Sequence, residues 1–526
     1  MLLAQTLIAL LLLIALIALG AERLRLPYPV LLVLGGALTS FAPFLPRVPL
    51  DPQLILLFFL PPLLYADCFQ ISWIEFRANL RPILLLSIGL VIATVVAVAA
   101  TARAFFPELS WPLACVLGAV VSPTDTVAAQ AVIERLRVPR RISTIVSGES
   151  LVNDATGLVA YQFALAAVLT GEFDALRASG ALVLVIAGGL CIGLAVGWAA
   201  AQANQRVRDT SVLFTLSLIA PFTAYVIALQ LNLSGVLAVV AAGFYVAWRI
   251  HSVPANSRFH LYTSWNLLVF LLNGLCFALI GLELPGVLEG LEAYGARHLA
   301  LAALGVCAVV VAVRMAWVYP GAYLPRWLSR RIREREDRPL PRNVFIVGWC
   351  GMRGVVSLAA ALAIPKELAN GAPFPGRDLI IFLTFCVVLA TLLGQGLSLP
   401  LLIRVLGIRG DELSEREERV ARGRLIEAAL ARLGELRAQH RCAEESVVLV
   451  EASYRDRQAA LAGQEALREQ LEAADRDALS RNAQLQALAA ERVRLLELRD
   501  QQVINDRTMQ KLQAELDLAE MRLTGA

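Results

Sequence analysis

The chain has 526 residues, of which 58% are hydrophobic and only 17% charged, and its formal net charge is +4 at pH 7. Water-soluble domains carry about a quarter charged residues, so these proportions and a mean hydropathy of +0.66 exclude a single soluble globule. Basic residues fall in short loops between apolar runs rather than in one stripe, which argues against a nucleic-acid partner. The eight cysteines stand singly without a CxxC pair, which argues against a zinc site or disulfide framework.

Charge divides the chain in two. Residues 1–407 are dominated by apolar runs, and residues 408–526 are dense in Arg, Glu, Asp and Gln. The sequence therefore predicts a polytopic membrane domain followed by a helical tail. A bilayer span needs roughly 20 mostly apolar residues. About thirteen runs qualify, near residues 2–20, 28–45, 51–68, 82–102, 110–133, 142–170, 181–203, 211–229, 233–248, 262–283, 299–324, 343–365 and 378–403. Residues 2–20 carry no charge, and Arg23 and Arg25 follow them. That order fits a first span with its N-terminus outside rather than a signal peptide. With this orientation, loops after odd-numbered spans hold about three times the basic residues of the opposite loops. The bias supports the count and places the tail in the cytoplasm.

An ionisable group at bilayer depth is costly, so it faces protein or water and usually serves function. In chain order, the third span ends in Tyr65-Ala66-Asp67. Asp67 reads either as facing an ion path or as interfacial beside Glu75 and Arg77. The fifth span contains Ser122-Pro123-Thr124-Asp125-Thr126. Pro123 lacks an N–H and clashes with the preceding turn, which favours a mid-membrane break. Broken helices are tolerated where the freed backbone lines a cavity or binds an ion, and Asp125 can neutralise the positive end of a half-helix.

The sixth span reads Gly148-Glu149-Ser150-Leu151-Val152-Asn153-Asp154. Ser150 and Asp154 are i,i+4 and share a helix face, where both can offer oxygen to one hard cation. Glu149 lies on an adjacent face. Arg314 sits mid-span in the eleventh run and needs a carboxylate partner, for which Glu149 and Asp125 are the candidates. In the twelfth run, Gly348, Gly351 and Gly354 surround Arg353. This composition predicts an irregular helix that another element crosses closely. The tail spaces Leu425, Ala428 and Leu433, then Leu485, Leu488 and Leu495, helically. It predicts several packed amphipathic helices.

Taken together, Ser122–Thr126, Gly148–Gly157 and Gly351-Met352-Arg353-Gly354 resemble the monovalent cation/proton antiporters, in particular the electroneutral, NhaP-like sodium/proton exchangers. The resemblance covers most of residues 1–407, and the run from Ile504 to Leu523 is similar to the helical tail of some bacterial members. It implies an all-α, NhaA-like fold with inverted repeats and two crossing broken helices. It also implies a homodimer in the bacterial cytoplasmic membrane, in contact with lipid, with no cofactor beyond the transported Na⁺ (or Li⁺ or K⁺) and H⁺.

By the same resemblance, Asp154 matches the carboxylate that binds cation and proton, and Thr124 and Ser150 match oxygen ligands of the ion. Asn153 matches the Asn-Asp pair of electroneutral members. Asp125 matches the acid beside the helix crossing, and Arg353 lies in the second crossing helix. Glu149 and Arg314 match a buried ion pair near the site. The family often has Glu directly after the third-span aromatic. Here Ala66 stands there and Asp67 follows, about 100° further around a helix, so the implied role for Asp67 is through water rather than direct.

A channel built from the same polar residues would need a continuous pore and no coupling. An intramembrane aspartyl protease would use two cooperating acids, typically one within Gly-x-Gly-Asp, and that motif is absent. A receptor or scaffold leaves the buried acids without a purpose. The resemblance therefore implies obligatory cation/proton exchange as the expected activity.

Overall fold

A computed structural model describes residues 8, 10–17, 19–20, 31–32, 35–36, 52–71, 73–125, 129–130, 132–133, 136, 138–170, 175–207, 209–250, 253, 255–291, 294–335, 338–368, 371–408, 423–435 and 450–460. Of the expected span at 2–20, residues 8, 10–17 and 19–20 are described and helical; the expected span at 28–45 and most of the tail lie largely outside the described residues. The chain divides into two compact units, Met1–Asp411 and Glu412–Ala526.

From residue 52 onward, the first unit includes the helices α1 (Pro52–Gln70), α2 (Trp73–Ala78), α3 (Leu80–Phe105), α4 (Trp111–Val121), α5 (Arg140–Thr170), α6 (Ala175–Arg206), α7 (Thr210–Gln230), α8 (Gly235–Arg249), α9 (Ala255–Glu289), α10 (Ala296–Leu328), α11 (Arg330–Arg335), α12 (Pro341–Trp349), α13 (Val355–Leu362) and α14 (Arg377–Val405). No strand occurs among the described residues; Glu367 and Pro373 form one isolated antiparallel bridge. Seven helical stretches among the described residues are long and apolar enough to cross a membrane. This is the all-α, multi-span architecture that the apolar runs predict.

Local chemistry sets the helix ends. Ser110 precedes α4, and its hydroxyl accepts the Leu113 N–H while Pro112 occupies the first turn, where a missing N–H costs nothing. Asp209 caps α7 by accepting from Ser211 N and Val212 N. Inside α3, residues Leu85–Gly89 form a π-helical turn. The Leu85 carbonyl accepts from Trp317 Nε1 of α10 at 3.1 Å, so the local departure from α geometry is compensated across the interface.

Packing is close where side chains are small. Along α6, Gly189, Gly193 and Gly197 recur every fourth residue and face Ser234, which caps α8, and Ala238 and Ala242 within it. A Cβ on Gly197 would come 2.9 Å from the Ala242 backbone. The stripe lets two backbones approach, as small residues do between membrane helices.

The fifth and twelfth runs are each interrupted, as Pro123 and the glycines predict. Helix α4 stops at Val121 and residues 122–125 are non-helical. Helices α12 and α13 are separated by residues 350–354. The two breaks touch: Asp125 N donates to Met352 O at 2.8 Å.

In the second unit, residues 423–435 and 450–460 are helical. The sequestered face of the first is Ile426, Ala429, Leu430 and Leu433, whereas Leu425 and Ala428 are exposed. The expected stripe is therefore rotated by one residue, onto the more apolar i, i+4, i+7 set that begins at Ile426. Leu485, Leu488 and Leu495 lie outside the described residues.

Candidate functional site

The two breaks enclose a cavity of about 30 Å³, lined by Leu63, Asp67, Pro123, Thr124, Asp125, Ser150, Asp154, Val269, Asn273 and Gly354 to Ser357. A water needs roughly 10–15 Å³, so the space suits one or two waters or a largely dehydrated small cation. The sequence-predicted residues Thr124, Asp125, Ser150 and Asp154 meet here, from the α4 break and α5. Asp67 arrives from α1 and lines the same space.

Asp154 is buried, and among the described residues no hydrogen-bond donor engages its carboxylate. One helical turn earlier, Ser150 Oγ donates to the Thr124 carbonyl at 2.7 Å. That bond uses the hydroxyl's only proton, so its remaining lone pairs are the groups left for a cation. Asn153 is not on the cavity wall. Its Nδ2 donates to Thr124 Oγ1 at 2.7 Å, and its Oδ1 accepts from Thr124 N at 3.4 Å. Asn153 therefore holds Thr124 in place from behind. Among the described residues no three His, Cys, Asp or Glu side chains group as metal ligands. The cavity wall carries three carboxylates, Asp67, Asp125 and Asp154, with hydroxyl and amide oxygens, a hard oxygen set suited to an alkali cation.

Charges on neighbouring elements stabilise the broken backbone. Arg353 is fully buried; its Nε donates to Val121 O, the last residue of α4, at 2.7 Å, and its Nη1 to Gly351 O at 2.7 Å. Arg314 of α10 donates to Gly348 O at 2.9 Å and Val347 O at 3.0 Å, near the end of α12. Each C-terminal helix end thus receives a cation, the favourable sign for the helix dipole. At the opposite pole, Val355 N of α13 donates to Asp125 Oδ2 at 3.4 Å. Asp125 therefore serves the first turn of the half-helix from the other broken run. A Cβ on Gly354 would overlap the Asp125 carboxylate, so this approach requires glycine.

Of the two partners expected for Arg314, the structure selects Glu149. The pair is bidentate, Nη1 to Oε1 and Nη2 to Oε2, the latter at 2.8 Å. Both side chains are about 1% exposed. Glu149 lies outside the cavity wall, on the α5 face turned to α10 and α12.

Two lining residues escape the sequence reading. Asn273 Nδ2 and Ser357 Oγ are buried without a hydrogen-bond partner among the described residues. Both line the cavity across from Asp154's helix. Asn273 is an amide flanked on both sides by apolar residues, a signal that was present. Ser357 carries none, because single serines are common in membrane helices.

Residues 8–405 match the family model described as "Sodium/hydrogen exchanger, transmembrane". The chain belongs to the sodium/hydrogen exchanger family. It is thus a monovalent cation/proton antiporter. An uncharacterized Na⁺/H⁺ exchanger of Mycobacterium tuberculosis is 37% identical over 507 residues, covering 95% of this chain and 93% of that one. A sodium, potassium, lithium and rubidium/H⁺ antiporter of Bacillus pumilus is 35% identical over 388 residues, covering 72% of this chain and 58% of its own length. The solved sodium proton antiporter MjNhaP1 from Methanocaldococcus jannaschii, at 19% identity, superposes with a TM-score of 0.61 over 77% of this chain and all of that one. This exchanger therefore shares its fold.

Proposed function

We propose that this exchanger swaps one Na⁺, or Li⁺ or K⁺, for one H⁺ through competition of cation and proton for Asp154. Thr124 and Ser150 supply further oxygens, Asn273 and Ser357 complete the polar wall, and Asp67 and Asp125 act at its margin. The observation that carries the reading is an unengaged buried carboxylate at the crossing of two broken helices, one turn from a serine whose proton is already committed.

A carboxylate in so small a polar space holds a proton or a cation, but not both well. The ionised form takes the metal, and the protonated form releases it. Exchange is obligatory if only loaded states change their side of exposure. Asn153 adds no charge, which supports electroneutral exchange. Alternating access then moves a core carrying the crossing against a fixed scaffold. In this reading residues 1–407 transport and residues 408–526 form a cytoplasmic helical tail. The protein is a homodimer in the bacterial cytoplasmic membrane, with about thirteen spans and its N-terminus outside.

The test is dissipation of a pH gradient in proteoliposomes by each alkali ion in turn. The parent should respond to at least one ion, and Asp154→Asn should abolish the response while eluting as the folded protein does. Retained exchange in Asp154→Asn overturns the assignment.

A further inference from the structure

The polar face of α5 that carries Asp154 extends beyond the ion cavity. Ser143, Ser147, Ser150 and Asp154 are spaced i, i+4, i+7 and i+11, so at 100° per residue they fall within an arc of about 60°. The line runs roughly 16 Å along the helix, from its Arg140–Arg141 end to the ion site. Burial deepens along it: Ser143 and Ser147 are half-buried, and Ser150 and Asp154 are buried. Gln130, also half-buried, faces the outer two serines. It belongs to the segment that follows the Pro123 break, in which residues 129–130 and 132–133 are helical. Its Nε2 donates to Ser143 Oγ at 3.0 Å and to Ser147 Oγ at 2.9 Å, and its Oε1 accepts from Ser143 Oγ at 3.2 Å.

Hydroxyls elsewhere in these helices behave differently. Ser87, Thr101 and Thr156 each donate to the carbonyl four residues earlier, which satisfies a hydroxyl without a partner from another element. Ser143 and Ser150 instead donate across to the broken span, to Gln130 Oε1 and to the Thr124 carbonyl. Hydroxyl and amide oxygens can replace part of a cation's water shell, and they carry no fixed charge that would hold the ion. Passage requires binding favourable enough to enter and weak enough to leave. A carboxylate on this line would compete with Asp154, and aliphatic side chains would exclude the ion.

We propose that Gln130, Ser143 and Ser147 form a relay station for the alkali cation, between the Arg140–Arg141 end of α5 and Asp154. The Gln130 amide closes the station by engaging both serines, and it swings aside to admit the ion to their oxygens. The proposal rests on the Asp154 reading above, because the line of oxygens ends on that carboxylate. All three station residues are uncharged, so the ion pauses there briefly and Asp154 stays the group at which proton and metal compete.

The experiment uses the full chain carrying Ser147→Cys. It is treated in detergent with a quaternary-ammonium methanethiosulfonate, mapped by peptide mass and reconstituted for exchange. Val146→Cys, one residue off the line and buried, and the parent with its native cysteines are treated alike. Ser147→Cys should be labelled at position 147, and labelling should lower its exchange at least tenfold relative to the treated parent. Val146→Cys should stay unlabelled at position 146. Methyl methanethiosulfonate, which leaves a small neutral adduct, should leave several-fold more exchange in Ser147→Cys than the cationic reagent does. Should Ser147→Cys fail to fold, Gln130→Cys takes its place with the same expected results. No labelling at position 147 in the folded variant, equal labelling of Val146→Cys, or exchange that survives the cationic adduct overturns the proposal. Equal loss from the methyl adduct does so as well, since a mere packing brace between α5 and the broken span predicts that result. Exchange that survives Asp154→Asn refutes the Asp154 reading instead, and the labelling pattern still decides the station by itself.

Discussion

Asp154, Ser150 and Thr124 show how few side chains the proposed exchange needs, and how each is prepared by a neighbour. Asn153 fixes Thr124 through two hydrogen bonds, and Ser150 is fixed through the Thr124 carbonyl. Asn273→Ala and Ser357→Ala should each raise the half-saturating cation concentration several-fold in vesicle exchange, with the maximal rate within about twofold, because each removes one polar partner worth roughly 1 kcal/mol. No change in either variant would remove both residues from the site. The Glu149–Arg314 pair predicts differently. Arg314→Ala leaves a buried carboxylate alone and should cost roughly 3–5 kcal/mol of stability, read as a lowered Tm in detergent. Glu149→Gln with Arg314→Met should recover much of that loss, since no isolated charge remains. The candidate acids were legible because charge in an apolar run is conspicuous. The choice of Glu149 over Asp125 for Arg314 was not legible, since it depends on which faces of α5 and α10 meet.

At the level of helices, the crossing is held by exchange of end-caps: Arg353 on the end of α4 and Asp125 at the start of α13. The interruptions themselves could be read from Pro123 and from the glycines around Arg353, because a missing N–H and missing Cβ atoms act locally. The pairing of each cap with the opposite helix could not, since the partners lie more than two hundred residues apart. The π-helical turn in α3 and the true buried face at Ile426 were likewise invisible to apolar spacing. Gly354→Ala should disturb the crossing more than an ordinary Gly→Ala change. Its Cβ would displace the Asp125 carboxylate and leave the Val355 N–H without it. We expect Tm to fall and exchange to drop at least tenfold. Normal exchange in Gly354→Ala would show that Asp125 need not approach α13. Thr391→Val removes the hydroxyl that accepts the Arg353 N–H at 3.0 Å and should cost about 1–2 kcal/mol, again measured by Tm.

For the molecule as a whole, apolar runs, loop charge and three short motifs sufficed to indicate a multi-span, all-helical exchanger, because the bilayer forces both the period and the hydrogen bonding of its spans. Stoichiometry belongs to this scale. With Asn153 neutral, exchange in vesicles should be indifferent to an imposed membrane potential, and Asn153→Asp is expected to introduce a dependence on it. A parent that already generates current would contradict the one-for-one reading. The central claim, that proton and metal contend for one carboxyl group, is tested most directly without any gradient. Addition of Na⁺ to the purified, weakly buffered protein should release close to one proton per cation bound, followed by a pH indicator, and Asp154→Asn should release none. Saturable Na⁺ binding with no proton release from the parent would contradict the account.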